Sequence, residues 1–174
     1  MVPTIETERL RLRGHTIADF PDSFAMWSDP AVTRFIGGVP STEQQSWSRL
    51  LNYAGHWALL DFGYWAVEEK ASRHFVGEVG FANFKRDIEV SMKDAPELGW
   101  ALVPRVHGRG YASEALAAAL RWGDVRFASA RTVCLIDRQN VPSIRVAEKS
   151  GYREFERTIF KGTPTIFFER LAVI

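Results

Sequence analysis

Apolar and basic positions alternate through Arg9, Leu10, Arg11, Leu12 and Arg13, the period of a strand with one buried face. This predicts a first strand over Thr7 to Arg13. Thr16 with Asp19 reads as a helix start, and Ile17, Phe20 and Phe24 recur at helical spacing until Asp29-Pro30 ends the run. Gly37, Gly38 and Pro40 mark a loop. Ser41 and Gln44 then form a capping-box pair for a longer helix, whose face carries Trp47, Leu50, Leu51, Ala54 and Trp57. Strands at Tyr64 to Glu68 and Phe75 to Phe84, separated by a polar turn from Ala71 to His74, read as a meander.

The next segment, Lys85 to Pro96, carries Lys85, Arg86, Asp87, Glu89, Lys93 and Asp94 and is too charged for a core, so it reads as a surface loop. From Glu97 to Leu120 the chain reads as one unit: an apolar strand, a turn with Arg105, Gly108 and Gly110, and an alanine-rich helix that runs on to about Phe127. Thr132 to Ile136 is apolar after its first residue, as in a strand buried on both faces. Asn140 can cap a short helix with Pro142 in its first turn and Gly151 at its end. Two strands follow, Tyr152 to Phe160 and Thr165 to Ala172, joined at Gly162. The order specifies an α+β fold: a mixed, mostly antiparallel central sheet flanked by helices, with a β-α-β unit around the glycine turn.

Composition narrows the function classes. A chain of 174 residues holds one well-buried core, so residues 1–174 are expected to form a single domain. With 46% hydrophobic and 25% charged residues, neither disorder nor a coiled coil is indicated. A net charge of +1 gives no reason to invoke nucleic acid or membrane. Cys134 is the single cysteine, and it reads as packing in an apolar strand. No signal-like run or membrane-length apolar stretch appears, which makes a cytoplasmic enzyme the expectation. His15, His56, His74 and His107 form no metal-binding spacing, so no metal site is expected.

The glycine turn carries the chemistry. The first amides of a helix have no partner inside it, and the macrodipole adds roughly half a positive charge, so an anion is the natural ligand. Gly108 and Gly110 let the backbone approach that anion, and Arg105 and Arg109 add charge suited to more than one phosphate. His107, inside the turn, is expected to face solvent. Neither a P-loop nor a Rossmann spacing is present.

The order Arg105-x-x-Gly108-x-Gly110-Tyr111-Ala112, between strand and helix, resembles the acyl-CoA-binding motif of the GNAT acetyltransferase superfamily. The segments ETERLRLR, SDPAVTRFIGG, VPRVHGRGYASEAL and RQNVPSIRVAEKSGY resemble its ribosomal-protein-alanine acetyltransferase branch, the RimJ/RimL type. The resemblance implies an N-acetyltransferase that uses acetyl-CoA as acyl donor and a primary amine, a peptide N-terminus or a small molecule, as acceptor. It implies cofactor contacts from Arg105, Val106, His107, Gly108, Arg109, Gly110, Tyr111 and Ala112, from the backbone of Leu102 and Val103, and from Asn140 and Ser143. The Ala101 amide would face the thioester oxygen. Glu97 matches the family's general base, and Ser143 is the candidate acid, because Ala147 stands where many members carry a tyrosine. The competing reading is a non-catalytic CoA-binding sensor. A monomer or homodimer is expected, and the acceptor is not specified.

Overall fold

The computed structural model describes residues 1–92, 94–128 and 130–171. Lys93, in the charged connection, and Ala172, at the end of the last expected strand, lie outside them. The described chain forms strands β1 (Ile5–Glu6) and β2 (Leu10–Arg13), helices α1 (Phe20–Trp27), α2 (Pro30–Thr33) and α3 (Glu43–Leu60), and strands β3 (Tyr64–Glu69), β4 (Phe75–Ala82) and β5 (Glu97–Leu102). There follow α4 (Tyr111–Arg126), β6 (Thr132–Asp137), α5 (Val141–Lys149), β7 (Arg153–Phe160) and β8 (Thr163–Arg170). All eight strands belong to one sheet in the order β1-β2-β3-β4-β5-β6-β8-β7. Every neighbouring pair is antiparallel except β5 and β6. The α+β architecture is the one that the sequence pattern predicts.

The sheet separates two layers. On one face Trp65, Val79, Phe81, Leu98 and Leu102 pack against Leu116, Ala119 and Leu120 of α4 in the main core. On the other face Ala66, Phe75 and Ala101 meet Met26 and Trp27 of α1, and Tyr64 and Ala82 meet Tyr53 of α3. Trp57, Trp65 and Trp122 stack edge to face inside the main core, so these tryptophans are packing residues.

Several local expectations change. The first strand breaks in two, because the Thr7 amide donates to the Leu10 carbonyl (2.9 Å) and the Leu10 amide to Thr7 Oγ1 (2.9 Å), closing a turn between β1 and β2. Ile17 is exposed, and α1 instead buries Ser23, Met26 and Trp27. Asp29-Pro30 ends α1 and also starts α2: Asp29 accepts the Ala31 amide at 2.8 Å, and Pro30 occupies a first-turn position where no amide is needed. The α3 capping box is Thr42 with Gln45, one residue later than predicted, since the Ser41 amide is tied to the Trp27 carbonyl. Its buried stripe is Ser46, Leu50, Tyr53 and His56, with Trp47 and Leu51 exposed. The stripe can include His56 because its ring nitrogens meet the Asn52 carbonyl (2.8 Å) and the Asn83 amide (3.2 Å). No described helix is long and apolar enough to cross a membrane.

Candidate active site

The one parallel junction of the sheet is a wedge. β5 and β6 share the pair Glu97 and Val133, where the Val133 amide donates to the Pro96 carbonyl at 3.1 Å, and no further rung joins them. Beyond it β6 pairs with β8 along its whole length, while the edge of β5 from Leu98 to Leu102 faces an opening. Both strands run toward the wide end, and each leads into a helix there: β5 into α4 through a 3-10 turn at Pro104–Val106, β6 into α5.

Gly108 and Gly110 both take left-handed backbone angles (φ 73° and 77°), which a side chain disfavours. No atom lies within 4 Å of a Cβ built on Gly108, and on Gly110 it would meet Arg9 Nη2 alone, at 3.4 Å. Gly110 is also the cap of α4 and supplies no capping side chain, so the first amides of this 16-residue helix open onto the clearing. At the facing corner Asn140 Oδ1 accepts the Ser143 amide at 3.2 Å and starts α5.

A family model described as "Acetyltransferase (GNAT) domain" matches residues 9–153. The chain belongs to the GNAT acetyltransferase family. Among curated relatives, the uncharacterized N-acetyltransferase YoaA of Bacillus subtilis (strain 168) is 26% identical over 156 residues, 88% of this chain and 85% of that protein. A structure assigned to the GnaT acetyltransferase family, from Bordetella pertussis, is 33% identical with a TM-score of 0.87, covering 97% of this chain and 99% of the other. At the level of fold alone, RimL, a ribosomal L7/L12 alpha-N-protein acetyltransferase in complex with coenzyme A, aligns with a TM-score of 0.78 at 14% identity over 97% of this chain and 98% of its own. The protein is thus an acetyltransferase, and the wedge is where this GNAT chain offers a ligand open backbone.

The turn residues are not equivalent. The Val106 side chain is buried in the main core, leaving its backbone for a ligand, and Ala112 packs against the same core. Arg105 donates to the Phe75 carbonyl at 2.9 Å, which ties the turn to β4. Arg109 is half exposed; its guanidinium lies over the Tyr111 ring and donates to the Tyr111 hydroxyl at 3.0 Å, and that hydroxyl in turn bonds Glu69. Hydrogen bonding to Glu69, followed by burial, raises the pKa of Tyr111. The His107 ring does not simply face solvent: its Nε2 lies 2.8 Å from the Leu102 carbonyl. Sequence reading missed Arg9. It donates to Glu114 Oε2 (2.7 Å) and to the Arg109 carbonyl (2.9 Å), so the turn between β1 and β2 braces the glycine turn. Glu114, one turn into α4, is the anchor of that brace and also accepts from Thr7 at 2.6 Å.

The strand ladder alters one expected contact. The Val103 amide donates to the Val76 carbonyl across the β4–β5 pair at 2.9 Å. Antiparallel pairs alternate between bonded and non-bonded rungs, so Ala101, opposite Glu78, also turns its amide toward β4. The Ala101 amide is therefore not the donor that faces the wedge; the amides turned that way are those of Leu98, Trp100 and Leu102. The Val103 backbone is likewise committed, its carbonyl accepting from Val106 at 3.2 Å.

Glu97 lies at the narrow end, on the α1/α3 face of β5 together with Gly99 and Ala101. Its carboxylate is buried and held bidentately by Arg86, Nε to Oε2 and Nη2 to Oε1, both at 2.6 Å. Arg86 is itself packed over the rings of Phe84 (4.7 Å) and Phe160 (5.1 Å). The Lys85 to Pro96 segment is thus more than a solvated connection: a recess of about 300 Å³ opens between Phe84, Arg86, Ile88, Met92 and Glu97. On the same face Glu78 of β4 is fully buried and accepts from Ser23 Oγ (2.7 Å) and Trp27 Nε1 (2.9 Å), with His15 Nε2 at 3.5 Å. Burial pushes the Glu78 carboxyl upward, but His15, Ser23 and Trp27 outweigh it and leave its pKa below the ordinary value. Ala147 is fully buried in the main core. Among the described residues no cluster of His, Cys, Asp and Glu suits a metal ion.

Proposed function

We propose that this GNAT protein is an N-acetyltransferase that takes its acetyl group from acetyl-CoA and passes it to a primary amine, a peptide N-terminus or a small molecule, by direct attack on the thioester. The observation that supports this most is the clearing over Gly108 and Gly110 at the amide-rich start of α4, set at the wide end of the β5–β6 wedge. In this reading Arg105 to Ala112 hold the pyrophosphate, with Arg109 as the half-exposed cation. Leu102 offers backbone to the pantetheine arm once His107 releases its carbonyl. Asn140 and Ser143 bind from the opposite side of the wedge, and Ser143 can donate toward the sulfur. The amides on the wedge edge of β5 are placed to support charge on the thioester oxygen.

Glu97 is the proposed base. Each carboxylate oxygen that accepts from Arg86 keeps a further lone pair, so an ammonium can be relieved of its proton through a water while Arg86 fixes the group in place. An α-amine, with a pKa of about 7.7 to 8.0, asks for less help than a lysine near 10.4. The protein is proposed to work in the cytoplasm as a monomer or homodimer. Titration calorimetry with acetyl-CoA, followed by CoA release with a panel of amines and N-terminal peptides, tests the reading: micromolar binding and turnover with at least one amine are expected. In Glu97→Gln, turnover should fall about a hundredfold or more at acid pH and recover in part at alkaline pH, with acetyl-CoA affinity unchanged. Wild-type turnover at every pH would remove Glu97 from the mechanism.

A further inference from the structure

Tyr64 of β3 lies across the sheet. In the register it faces Gly80 of β4, and Gly80 faces Gly99 of β5. A Cβ on Gly80 would run into the Tyr64 Cα and the Gly63 carbonyl, and a Cβ on Gly99 would run into the Tyr64 hydroxyl. Gly80 thus admits the β3 backbone, and Gly99 leaves the lane in which the phenol hydroxyl lies. From the helical side the Tyr53 ring stacks on it, with centroids 4.4 Å apart and planes 7° from parallel. The hydroxyl ends on Gly99, between Glu97 and Ala101 on the same face of β5.

Tyr64 is 7% exposed. A phenol this little exposed ordinarily hydrogen-bonds either to the protein or to what occupies the opening beside it. Among the described residues the hydroxyl of Tyr64 has none; the residue's own carbonyl takes Trp57 Nε1, but that bond does not involve the ring. The neighbouring carboxylate of Glu97 is already occupied by Arg86. Stacking on Tyr53 and the space left at Gly99 thus hold a donor in place with nothing of the protein to donate to. Burial, and next the negative charge of Glu97, raise its pKa far above the usual phenol range, so it stays protonated wherever the protein is folded.

We propose that the Tyr64 hydroxyl is a hydrogen-bond donor to the thioester carbonyl oxygen, held ready on the face of β5 for the negative charge that this oxygen gains when the amine attacks. The proposal rests on the acetyl-CoA reading of the wedge. As the amine nitrogen forms its bond to the carbonyl carbon, the C=O pair moves onto oxygen. When that pair returns, the C–S bond breaks and its electrons leave on sulfur as thiolate. The extra proton on nitrogen passes to Glu97 or water, and Tyr64 keeps its own proton throughout. The hydroxyl thus stands in for no acid at position 147; it supports the oxygen, not the leaving group.

Tyr64→Phe tests this, since it removes the hydroxyl and keeps the stacked ring. Turnover should fall about a hundredfold, by the measure of losing one such donor, and by the same factor from acid to alkaline pH, with acetyl-CoA affinity within about twofold of wild type. A second readout needs no acceptor: the infrared carbonyl band of bound [1-13C]acetyl-CoA should lie at lower frequency in the wild type than in Tyr64→Phe. Binding with an identical band and identical turnover in the two proteins would overturn the role of Tyr64 alone. Failure of the wild type to bind acetyl-CoA would overturn the acetyl-CoA reading, and this role with it.

Discussion

The two ends of β5 are built by different means. At its C-terminal end, eight consecutive residues from Arg105 to Ala112 supply the turn, the two left-handed glycines and the start of α4, and what they present is mainly backbone. At its N-terminal end, roughly 16 Å away at the usual rise per residue, and on to Gly99, the features are side chains: Glu97 from β5, Arg86 from the preceding loop, Tyr64 from β3 and Tyr53 from α3. The first end is open and held from outside by the Arg9–Glu114 brace. The second is buried and polar, so each group in it needs a partner or a ligand. A backbone site tolerates exchange of the side chains around it, whereas a side-chain site depends on every element that delivers a group.

The largest effect is expected from the buried polar network on the α1 face, at Glu78 opposite Ala101. Glu78→Ala strands the Trp27 and Ser23 donors beneath α1 and should cost about 3 to 5 kcal/mol in urea unfolding, while the fraction that remains folded binds acetyl-CoA as before. A variant as stable as wild type would show that this network does not fasten α1 to the sheet. The converse substitution is Gly110→Asp, which sets a carboxylate and a Cβ in the clearing. Acetyl-CoA affinity should fall about a hundredfold or more, or about 2.7 kcal/mol, against a stability loss of about 1 kcal/mol from the left-handed backbone. Unchanged affinity by calorimetry in the folded variant would remove the turn from cofactor binding.

Gly99→Ala probes the fit of Tyr64 against β5. Its methyl meets the Tyr64 hydroxyl and should cost about 1 to 3 kcal/mol. Tyr64→Phe should recover part of that loss in the double variant, and additive losses in a double-mutant cycle would show that the collision is not what Gly99 avoids. The smallest effect is one of shape. Because the folded-state pKa of Glu78 is depressed below the ordinary 4.5, its stabilising share is complete above that pH and lost as pH falls through the folded value. The stability gap between wild type and Glu78→Gln should therefore be flat above about pH 4.5 and narrow below it, as measured by unfolding at a series of pH values. A gap that widened toward acid would reverse the sign assigned to this group.

The order of strands and helices, the β-α-β unit, the glycine turn and the Asn140 cap were legible because each depends on residues close together in the chain. Local periodicity, a left-handed turn and a capping side chain are decided within about four positions. The family could be read for the same reason, since its motif is a contiguous loop. The sequence pattern did less well with faces. It assigned Trp47 and Leu51 to the buried stripe of α3, whereas the sheet selected Ser46, Tyr53 and His56; His56 is accommodated because its ring nitrogens meet the Asn52 carbonyl and the Asn83 amide. Ladder parity, which turns the Ala101 amide toward β4, follows from pairing and from no property of alanine. Gly80 and Gly99 were visible as glycines inside strands, a sign of close approach, but nothing in the sequence says that Tyr64 fills the space. That lane, the Arg86–Glu97 pair and the buried Glu78 join residues up to 63 positions apart, from His15 to Glu78. Only the sheet register and the packing of α1 and α3 bring them together, because contacts between distant side chains are set by the burial of whole elements and not by the local chain.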